Sequence, residues 1–347
     1  MTGSSKNKVG LGIALAVGLS LASGSGAAAP VKSVTAQAPS VRLAAEFARL
    51  AAQTDGLVGV AVKRVGGSAP AITLNAGTSF PMASTFKVAV ACAILTRIDR
   101  GELTLDTMVP VEPSIIVNSD GIAETMLHPG VSLSIHNLLE LMLTRSDNTA
   151  TDVLVAQAGG PAAVTAWLGK AGVVGQRVDA DTAHLIYRAL NIDAPGTGTF
   201  AQTVEAAFKA DPSKRDMDEK RLPNRPFNAD PRDSSTPEAM IDLLIKIDTG
   251  KALSPAGTKV LLDIMARCRT GEKRLKGLLP IGTVVAHKTG TLMSIANDVG
   301  LITLPDGGKL AIAVFVKGDT KGTDVQERVI ADIARAAYDY YLLGAGA

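Results

Sequence analysis

The sequence predicts an α+β fold: a five-stranded antiparallel sheet flanked by helices, with an inserted all-α domain. Two strand-like runs lie near the N-terminal end, at 57–65 and 71–75, and three more lie near the C-terminal end, at 284–288, 298–304 and 310–317. Between these groups, from residue 81 to about 190, apolar residues recur with helical spacing. A sheet built from both ends of the chain around a helical insertion accounts for this order.

Each predicted element rests on a local pattern. An amphipathic helix is expected at 39–53, and Gly66-Gly67-Ser68 and Asp306-Gly307-Gly308 are typical of hairpin turns. Further helices are predicted, in chain order, from residue 84 onward and at 131–145, 150–159, 160–172, 238–250, 254–268 and 324–343. Residues 191–235 are rich in proline and charge, so they are predicted to be a long loop with a short helix at 200–210.

The predicted division is into a signal peptide (1–29), a spacer (30–38), a sheet domain (39–79 and 236–347) and an all-α domain (80–235) that includes a long loop, 177–235. Lys6 and Lys8 precede an apolar run at 9–22, and a small-residue stretch ends at Ala29. This layout is typical of a secretory signal peptide, since the run is short for a bilayer span. We expect a periplasmic or secreted protein without stable membrane insertion after cleavage; an uncleaved anchor is the alternative.

Composition narrows the function classes. The chain has 347 residues, of which 46% are hydrophobic and 20% charged, and its formal net charge is +2. Mixed charge and 3% aromatic content disfavour a nucleic-acid surface. The four histidines have no metal-ligand spacing, so neither a metal nor a cofactor is expected. The two cysteines, Cys92 and Cys268, are open to either a disulfide or free structural thiols, and we predict no functional bridge.

Three short motifs carry the chemistry. Ser84 and Lys87 open an apolar helical run one turn apart, where the lysine amine can take the serine's proton. Ser146-Asp147-Asn148 ends another apolar helix, and Lys288-Thr289-Gly290-Thr291 ends a strand. Each motif alone is weak, but S-x-x-K, S-D-N and K-T-G in this order form the signature of penicillin-recognising serine enzymes.

With these motifs, the chain resembles class A β-lactamases and, more distantly, penicillin-binding transpeptidases and D-alanyl-D-alanine carboxypeptidases. The resemblance runs from about residue 40 to the C-terminus, apart from the long loop, and includes the flanks FPMASTFK, TRSDNTATDVL, RDSSTPEAM and AHKTGT. It implies a sheet domain and an all-α domain with the site between them. It also implies a β-lactam as the small-molecule partner of what we expect to be a monomer.

The resemblance further implies roles for the motif residues. Ser84 would form the acyl-enzyme, Lys87 would relay its proton, and Ser146 would protonate the departing lactam nitrogen. The other motif residues would bind substrate with their side chains or main chain: Asn148, Lys288, Thr289, Gly290 and Thr291. Arg274 is an additional candidate. Backbone N–H groups of Ser84 and Thr291 would form the oxyanion hole.

The long loop departs from the family pattern. Class A enzymes use a glutamate there to activate the deacylating water. Counting forward from S-D-N places Thr182 at that position, whereas counting back from the RDSSTP segment places it at Lys220, beside Glu219. We predict Glu219 as the base, with Asp179, Asp181 and Glu205 as lesser candidates. A D,D-peptidase, a slow-deacylating relative and a non-catalytic relative stay open as alternatives.

Overall fold

Strands from both ends of the chain form one antiparallel sheet in the computed structural model, which describes residues 38–126, 128–194 and 197–344. Its members are β1 (Leu57–Arg64), β2 (Ile72–Leu74), β7 (Val285–Leu292), β8 (Ile295–Thr303) and β9 (Lys309–Lys317). They are ordered β2-β1-β9-β8-β7, and every neighbouring pair is antiparallel. The predicted α+β class and five-stranded sheet are therefore confirmed.

Four shorter strands form two small ladders outside this sheet. They are β3 (Phe80–Pro81), β4 (Met108–Pro110), β5 (Ser132–Ser134) and β6 (Ser234–Ser235), paired as β3 with β6 and β4 with β5. The β3–β6 pair joins the residues just before the S-x-x-K motif to the end of the long loop. It thereby closes the helical segment at its two ends.

Along the chain, most of the helices lie between the two groups of strands. The bounds of the α-helices are α1 (Pro39–Ala51), α2 (Lys87–Asp99), α3 (Ile122–Thr125), α4 (Ile135–Thr144), α5 (Asn148–Ala158), α6 (Pro161–Lys170), α7 (Thr182–Ala189), α8 (Phe200–Ala210), α9 (Pro212–Glu219), α10 (Arg225–Ala229), α11 (Pro237–Asp248), α12 (Pro255–Ala266) and α13 (Thr323–Leu342). Two 3₁₀ helices cover Ala83–Phe86 and Pro113–Ile115. Among the described residues, no helix is both long and apolar enough to cross a bilayer.

Both faces of the sheet are covered, which explains why its central strands are almost continuously apolar. Along β9, Ile312, Val314 and Val316 pack into the core formed with α1 and α13. The alternate residues Ala313 and Phe315 pack into the larger core shared with the helical segment. The two-residue period of a strand therefore distributes one strand between two cores.

The structure corrects three details of the sequence interpretation. Residues 132–134 were expected to begin a helix, but they are β5, and Ser134 caps α4 by accepting the N–H of Asn137. The segment 191–235 carries α8, α9 and α10 rather than one short helix. Finally, β7 continues to Leu292, so the K-T-G-T motif lies within a strand instead of at its end.

The additional helices of the long loop follow from capping. Thr199 and Gln202 form a capping box on α8, whereas Asp211 and Asn224 cap α9 and α10. Proline lies in the first turn of both α9 and α10, where its missing N–H costs nothing. The predicted signal peptide and most of the spacer lie outside the described residues. The remaining residues belong to one compact unit, so the division at 80 and 235 stays a prediction.

Candidate active site

Ser84 lies in a 3₁₀ turn rather than in an α-helix. The backbone N–H of Lys87 donates to the carbonyl of Ser84, so the two residues are separated by one 3₁₀ turn. Side chains three apart eclipse one another in this geometry, so the two side chains leave the backbone on the same side of the turn. Ala83, the preceding residue, has φ of 43°, a left-handed conformation that non-glycine residues rarely adopt. The nucleophile candidate therefore lies on a constrained turn of the kind found at functional sites.

Two residues of the sheet hold this turn from behind. The side-chain amide of Asn297 donates to the carbonyls of Pro81 and Met82 at 2.9 and 3.0 Å. Gly290 touches the same turn, because a Cβ there would lie 2.5 Å from the Met82 oxygen and 3.2 Å from the Ser84 nitrogen. Only glycine permits this approach. Sequence reasoning did not identify Asn297, and only the pairing of β7 with β8 places it there.

Lys87 is fully buried and holds the S-D-N segment with its ammonium group. Its Nζ donates to the Ser146 carbonyl at 2.7 Å and to Asn148 Oδ1 at 2.8 Å, and it lies 3.3 Å from Ser146 Oγ. These contacts bring the first two motifs together. Ser146 itself has φ of 61°, so the turn that aims its hydroxyl is also left-handed.

The third motif meets the other two at Ser146. Lys288 is fully buried, and its Nζ donates to Ser146 Oγ at 3.0 Å and to the Thr289 carbonyl at 2.9 Å. The Ser146 hydroxyl thus lies between two ammonium groups, one from α2 and one from β7. Such a hydroxyl can pass a proton along the row of donors.

Both lysines are easier to deprotonate than a free lysine. Burial is the main cause that holds the pKa of Lys87 well below its usual range, and the nearby charge of Lys288 lowers it further. Burial likewise lowers the pKa of Lys288 to about 8, although the charges of Cys268 and Asp298 oppose this shift. A buried lysine with a lowered pKa is suited to accept a proton from a neighbouring hydroxyl.

Arg274 is buried beside β7, and its donors are already engaged. Its guanidinium donates to the carbonyls of Gly290 and Asn297 at 3.1 and 3.0 Å and to Thr291 Oγ1 at 2.8 Å, and it pairs with Glu327. The predicted substrate-binding arginine therefore contacts the K-T-G-T strand itself. These contacts fix the end of the strand that carries Thr291.

Asp147 and Asp152 are the two carboxylates whose negative charges oppose the lowering of the Lys87 pKa. Asp147 caps α5 by accepting the N–H of Ala150, and it also accepts the N–H of Ile122. Asp147 is therefore a helix-capping residue. Asp152 was not singled out from the sequence, although the i, i+4 spacing from Asn148 would have placed it on the same face of a helix.

Asp152 connects the S-D-N helix to the beginning of the long loop. Its carboxylate accepts the backbone N–H groups of Thr182 and Ala183 at 2.7 and 3.1 Å. Burial raises its pKa to about 7, and the charge of Asp181 adds to the shift. The Thr182 hydroxyl is buried without a hydrogen-bond partner among the described residues. Thr182, the position reached by counting forward, therefore lies against the helix that carries Asn148.

Glu219 lies elsewhere in the loop. It is exposed at the C-terminal end of α9, and the contacts of Lys87, Ser146 and Lys288 do not include it. Glu205, on α8, is also exposed and pairs with Arg215 on α9. The structure thus brings together Lys87, Ser146 and Lys288 with the other motif residues, but not Glu219. Within the described residues, no group of three or more side chains could hold a metal ion.

Comparisons with known proteins agree with this geometry. A sequence model described as the Beta-lactamase enzyme family matches residues 42–341. The extended-spectrum β-lactamase PER-1 of Pseudomonas aeruginosa is 30% identical over 279 residues, which cover 78% of each chain. The carbapenem-hydrolysing β-lactamase KPC of Klebsiella oxytoca is 27% identical over 312 residues, 89% of this chain and 92% of that protein.

Solved structures give the same result. A β-lactamase from Chitinophaga pinensis DSM 2588 has a TM-score of 0.70 and 31% identity, covering 86% of this chain and 99% of that one. A variant of the last common ancestor of Gram-negative bacteria β-lactamase class A has a TM-score of 0.70 and 30% identity, covering 87% and 99%. Together with the three motifs, these matches show that the chain belongs to the β-lactamase enzyme family, as a class A serine hydrolase of β-lactams.

Proposed function

We propose that the chain opens the β-lactam ring by forming an acyl-enzyme on Ser84. The observation that carries this proposal is the position of the fully buried Lys87, one 3₁₀ turn from Ser84 and 3.3 Å from the Ser146 hydroxyl, where burial lowers its pKa. The neutral amine takes the proton of the serine hydroxyl as Oγ attacks the lactam carbonyl. Backbone N–H groups of Ser84 and Thr291 stabilise the oxyanion, since the contact of Gly290 with the Ser84 turn holds their two segments together.

Ring opening also requires a proton at the lactam nitrogen, and Ser146 is the proposed donor. Its hydroxyl hydrogen-bonds both Lys87 and Lys288, so the proton removed from Ser84 can reach the leaving nitrogen through this row. Lys288 and Thr289 bind the carboxylate of the substrate, and Asn148 binds its side-chain amide while it also orients Lys87. Arg274 supports the site by holding the hydroxyl of Thr291.

We expect release of the acyl group to be slower than its formation. The position reached by the forward count carries Thr182, whose hydroxyl cannot act as a strong base. Asp152 is the buried acid beside it, but both carboxylate oxygens accept backbone N–H groups. The sequence-based candidate, Glu219, would act only if α9 approached the site. A D,D-peptidase is the second candidate function, because a loop without the expected glutamate suits an enzyme that holds its acyl group longer.

Burst kinetics and intact mass test the mechanism. Purified protein is mixed with a chromogenic cephalosporin, and both colour and protein mass are followed from milliseconds to minutes. We expect a burst equal to the enzyme concentration, an adduct at Ser84 and slower continued turnover; Ser84→Ala should abolish all three. A burst without continued turnover, together with cleavage of a D-alanyl-D-alanine peptide, would favour the peptidase. Neither adduct nor turnover would contradict the proposal.

Glu219→Gln decides the identity of the deacylating base. If Glu219 activates the water, the variant should lose about a hundredfold or more in steady-state rate, with the adduct accumulating. Its exposed position at the end of α9 predicts less than about a twofold change. Glu205→Gln tests a lesser candidate on the same loop in the same way. The deacylation rate is measured by trapping the adduct and following its loss by mass spectrometry.

We also propose export and a monomeric state. Export is supported by the basic and apolar pattern of residues 1–29. Expression of the whole precursor, followed by fractionation and N-terminal sequencing of the mature chain, tests it: a cut between residues 28 and 36 is expected, and an uncut chain in the membrane fraction would contradict it. Size-exclusion chromatography with light scattering tests the monomer.

A further inference from the structure

A short segment between β4 and β5, residues 117–122, is bound to the S-D-N motif and to the residue after it. The backbone N–H of Ile122 donates to Asp147 Oδ2 at 2.8 Å. Thr149 Oγ1 accepts the N–H of Val117 and donates to its carbonyl, both at 3.0 Å. Since Asp147 and Thr149 are fully buried, these contacts fix the segment against the start of α5. We call residues 117–122 the clamp segment.

Gly121 shows how closely the clamp segment approaches the motif. A Cβ at this position would lie 2.1 Å from Asp147 Oδ2, well inside contact distance. Only glycine permits this approach. Asn118 and Asp120 of the same segment are exposed. One side of the clamp segment is therefore packed against the motif, and the other side faces solvent at the edge of the candidate active site.

Asn148 is held by the clamp segment in two ways. Its backbone N–H donates to Ser119 Oγ at 3.0 Å, and its side-chain Nδ2 donates to the Asn118 carbonyl at 3.1 Å. Asn148 is the first residue of α5, and the first N–H groups of a helix have no acceptor within that helix. The Ser119 hydroxyl therefore supplies, from another part of the chain, the acceptor that the helix lacks at this position.

The contacts of the Asn148 amide leave one defined hydrogen-bond donor. The Lys87 ammonium can only donate, so the atom 2.8 Å from it is the amide oxygen. A backbone carbonyl can only accept, so the amide nitrogen faces Asn118. The second Nδ2 hydrogen has no acceptor among the described residues, and Asn148 is partly exposed. A ligand that meets this donor must present a hydrogen-bond acceptor.

We propose that Ser119 is a positioning residue, whose hydroxyl holds Asn148 so that this remaining N–H meets the carbonyl of an acylamino substituent on the β-lactam. The inference rests on the proposed function, which assigns the side-chain amide of the substrate to Asn148. Without the hydroxyl, the backbone N–H of Asn148 loses its acceptor, so the amide is no longer held from both ends. Lys87 keeps its hydrogen bond to the Ser146 carbonyl, so substrate binding should weaken more than the chemical step slows.

Two penicillins separate this role from a general effect on folding or acylation. Benzylpenicillin and 6-aminopenicillanic acid have the same bicyclic nucleus and carboxylate, but only benzylpenicillin carries an acylamino carbonyl. Rapid quenching and intact mass, over a range of penicillin concentrations, give the binding constant and the maximal acylation rate of Ser84 separately. We expect Ser119→Ala to weaken benzylpenicillin binding about fivefold or more, the scale of one hydrogen bond. For 6-aminopenicillanic acid, both constants should change less than about twofold.

Three further variants complete the test. Ser119→Thr keeps a hydroxyl and should bind benzylpenicillin within about twofold of the wild type. Ser114→Ala makes the same chemical change at an exposed serine of the neighbouring 3₁₀ helix, Pro113–Ile115, and should leave the reaction with both penicillins unaffected. In an Asn148→Ala background, Ser119→Ala should weaken binding less than about twofold, because a residue that acts through Asn148 then has no amide to position.

The outcomes distinguish a failure of this inference from a failure of the proposed function. Unchanged benzylpenicillin binding in Ser119→Ala, or equal losses with the two penicillins, would overturn the positioning role of Ser119. The same conclusion would follow if Ser119→Ala cost as much in the Asn148→Ala background as in the wild type. A wild-type protein that forms no adduct with either penicillin would instead contradict the proposed function, and this inference would fail with it.

Discussion

Two buried ammonium groups share one serine hydroxyl at the centre of this site. Ser146 Oγ lies 3.3 Å from Lys87 Nζ and 3.0 Å from Lys288 Nζ. Two like charges at this spacing disfavour each other, so at least one amine is easier to deprotonate. We propose that the two amines have different roles, because Lys87 lies one turn from the proposed nucleophile and Lys288 lies on the strand proposed to bind the substrate carboxylate.

The charge of Lys288 predicts a pH limit for activity toward anionic β-lactams. Its pKa is lowered to about 8, so the ammonium is present below pH 8 and is lost as the pH rises through that value. We expect kcat/KM to fall by up to about tenfold for each pH unit above 8, through an increase in KM. Lys288→Arg keeps its charge, so its profile should stay flat between pH 8 and 9.5.

Steady-state kinetics of wild type and Lys288→Arg across pH 6 to 9.5 provide the measurement. A fall in the arginine variant at the same pH as in the wild type would assign the limit to another group.

At the residue scale, the sequence identified only part of the site. Ser84, Lys87, Ser146 and Lys288 are each part of a short motif, so residue type and spacing were enough to select them. Asn297 and Asp152 belong to no motif. Asn297 matters because it binds the main chain just before the Ser84 turn, and Asp152 matters because it binds the N-terminus of α7.

At the scale of elements, polar and charged contacts hold the two ends of the long loop together. We call this region, formed by Asp179, Ala180, Arg188 and Asp233, the neck of the loop. Asp233 has φ of 50°, and its carboxylate accepts the N–H groups of Asp179 and Ala180 at 2.7 and 3.0 Å. Arg188, at the end of α7, donates to the other oxygen of Asp233 at 2.6 Å. The helices between these points can differ in length without disturbing the residues that line the site.

Removing the arginine should destabilise this neck. Arg188→Met keeps most of the side-chain volume but leaves Asp233, whose side chain is 1% exposed, without its counter-charge. Breaking a buried ion pair at one partner costs about 3–5 kcal/mol, and since Arg188 is partly exposed we expect about 2–3 kcal/mol less free energy of unfolding. Faster hydrogen exchange at residues 179–183 should accompany the loss.

The matched control is Arg215→Met, which removes an arginine from an exposed pair with Glu205 on the same loop. Exposed pairs contribute about 0.5 kcal/mol or less, so this variant should unfold at nearly the wild-type urea concentration. Equal effects of the two substitutions would show that the neck is not held by the buried pair.

At the scale of the whole molecule, the sheet and the helical segment share one core. Val299 and Phe315 on the sheet belong to the same buried cluster as the helical residues Leu139 and Leu154. The second core, on the other face of the sheet, is formed with α1 and α13. Neither part can therefore unfold without exposing apolar surface of the other.

This shared core predicts a single cooperative unfolding transition. Trp167, the one tryptophan of the chain, lies on α6, packs against the larger core and donates to Thr96 Oγ1 at 2.8 Å. Its fluorescence reports the helical segment, whereas far-UV circular dichroism reports all elements. We expect the two urea transitions to coincide. Urea midpoints of the two signals that differ by more than about 0.5 M would indicate two independently folding domains, for a typical m-value of about 1–3 kcal/mol/M in urea.

The sequence by itself determined the fold class and the three motifs that supply the proposed acylation residues. The five strands of the sheet and the terminal helix α13 follow from apolar runs and turn residues, which are local signals. Ser84 with Lys87, and Ser146 with Asn148, lie a few residues apart, so their proximity is local as well. Lys288 was identified by its motif, although its contact with Ser146 spans 142 positions.

Only the tertiary structure decided what surrounds the motifs. In the loop between Asp179 and Asp233, the forward count reaches Thr182 and the backward count reaches Lys220, beside Glu219, and no local pattern chooses between the two counts. The hydrogen bonds from Thr182 and Ala183 to Asp152 hold the forward position against α5, whereas Glu219 is exposed at the end of α9. Contacts of this kind depend on which elements neighbour each other in space, and the spacing of residues along the chain does not contain that information.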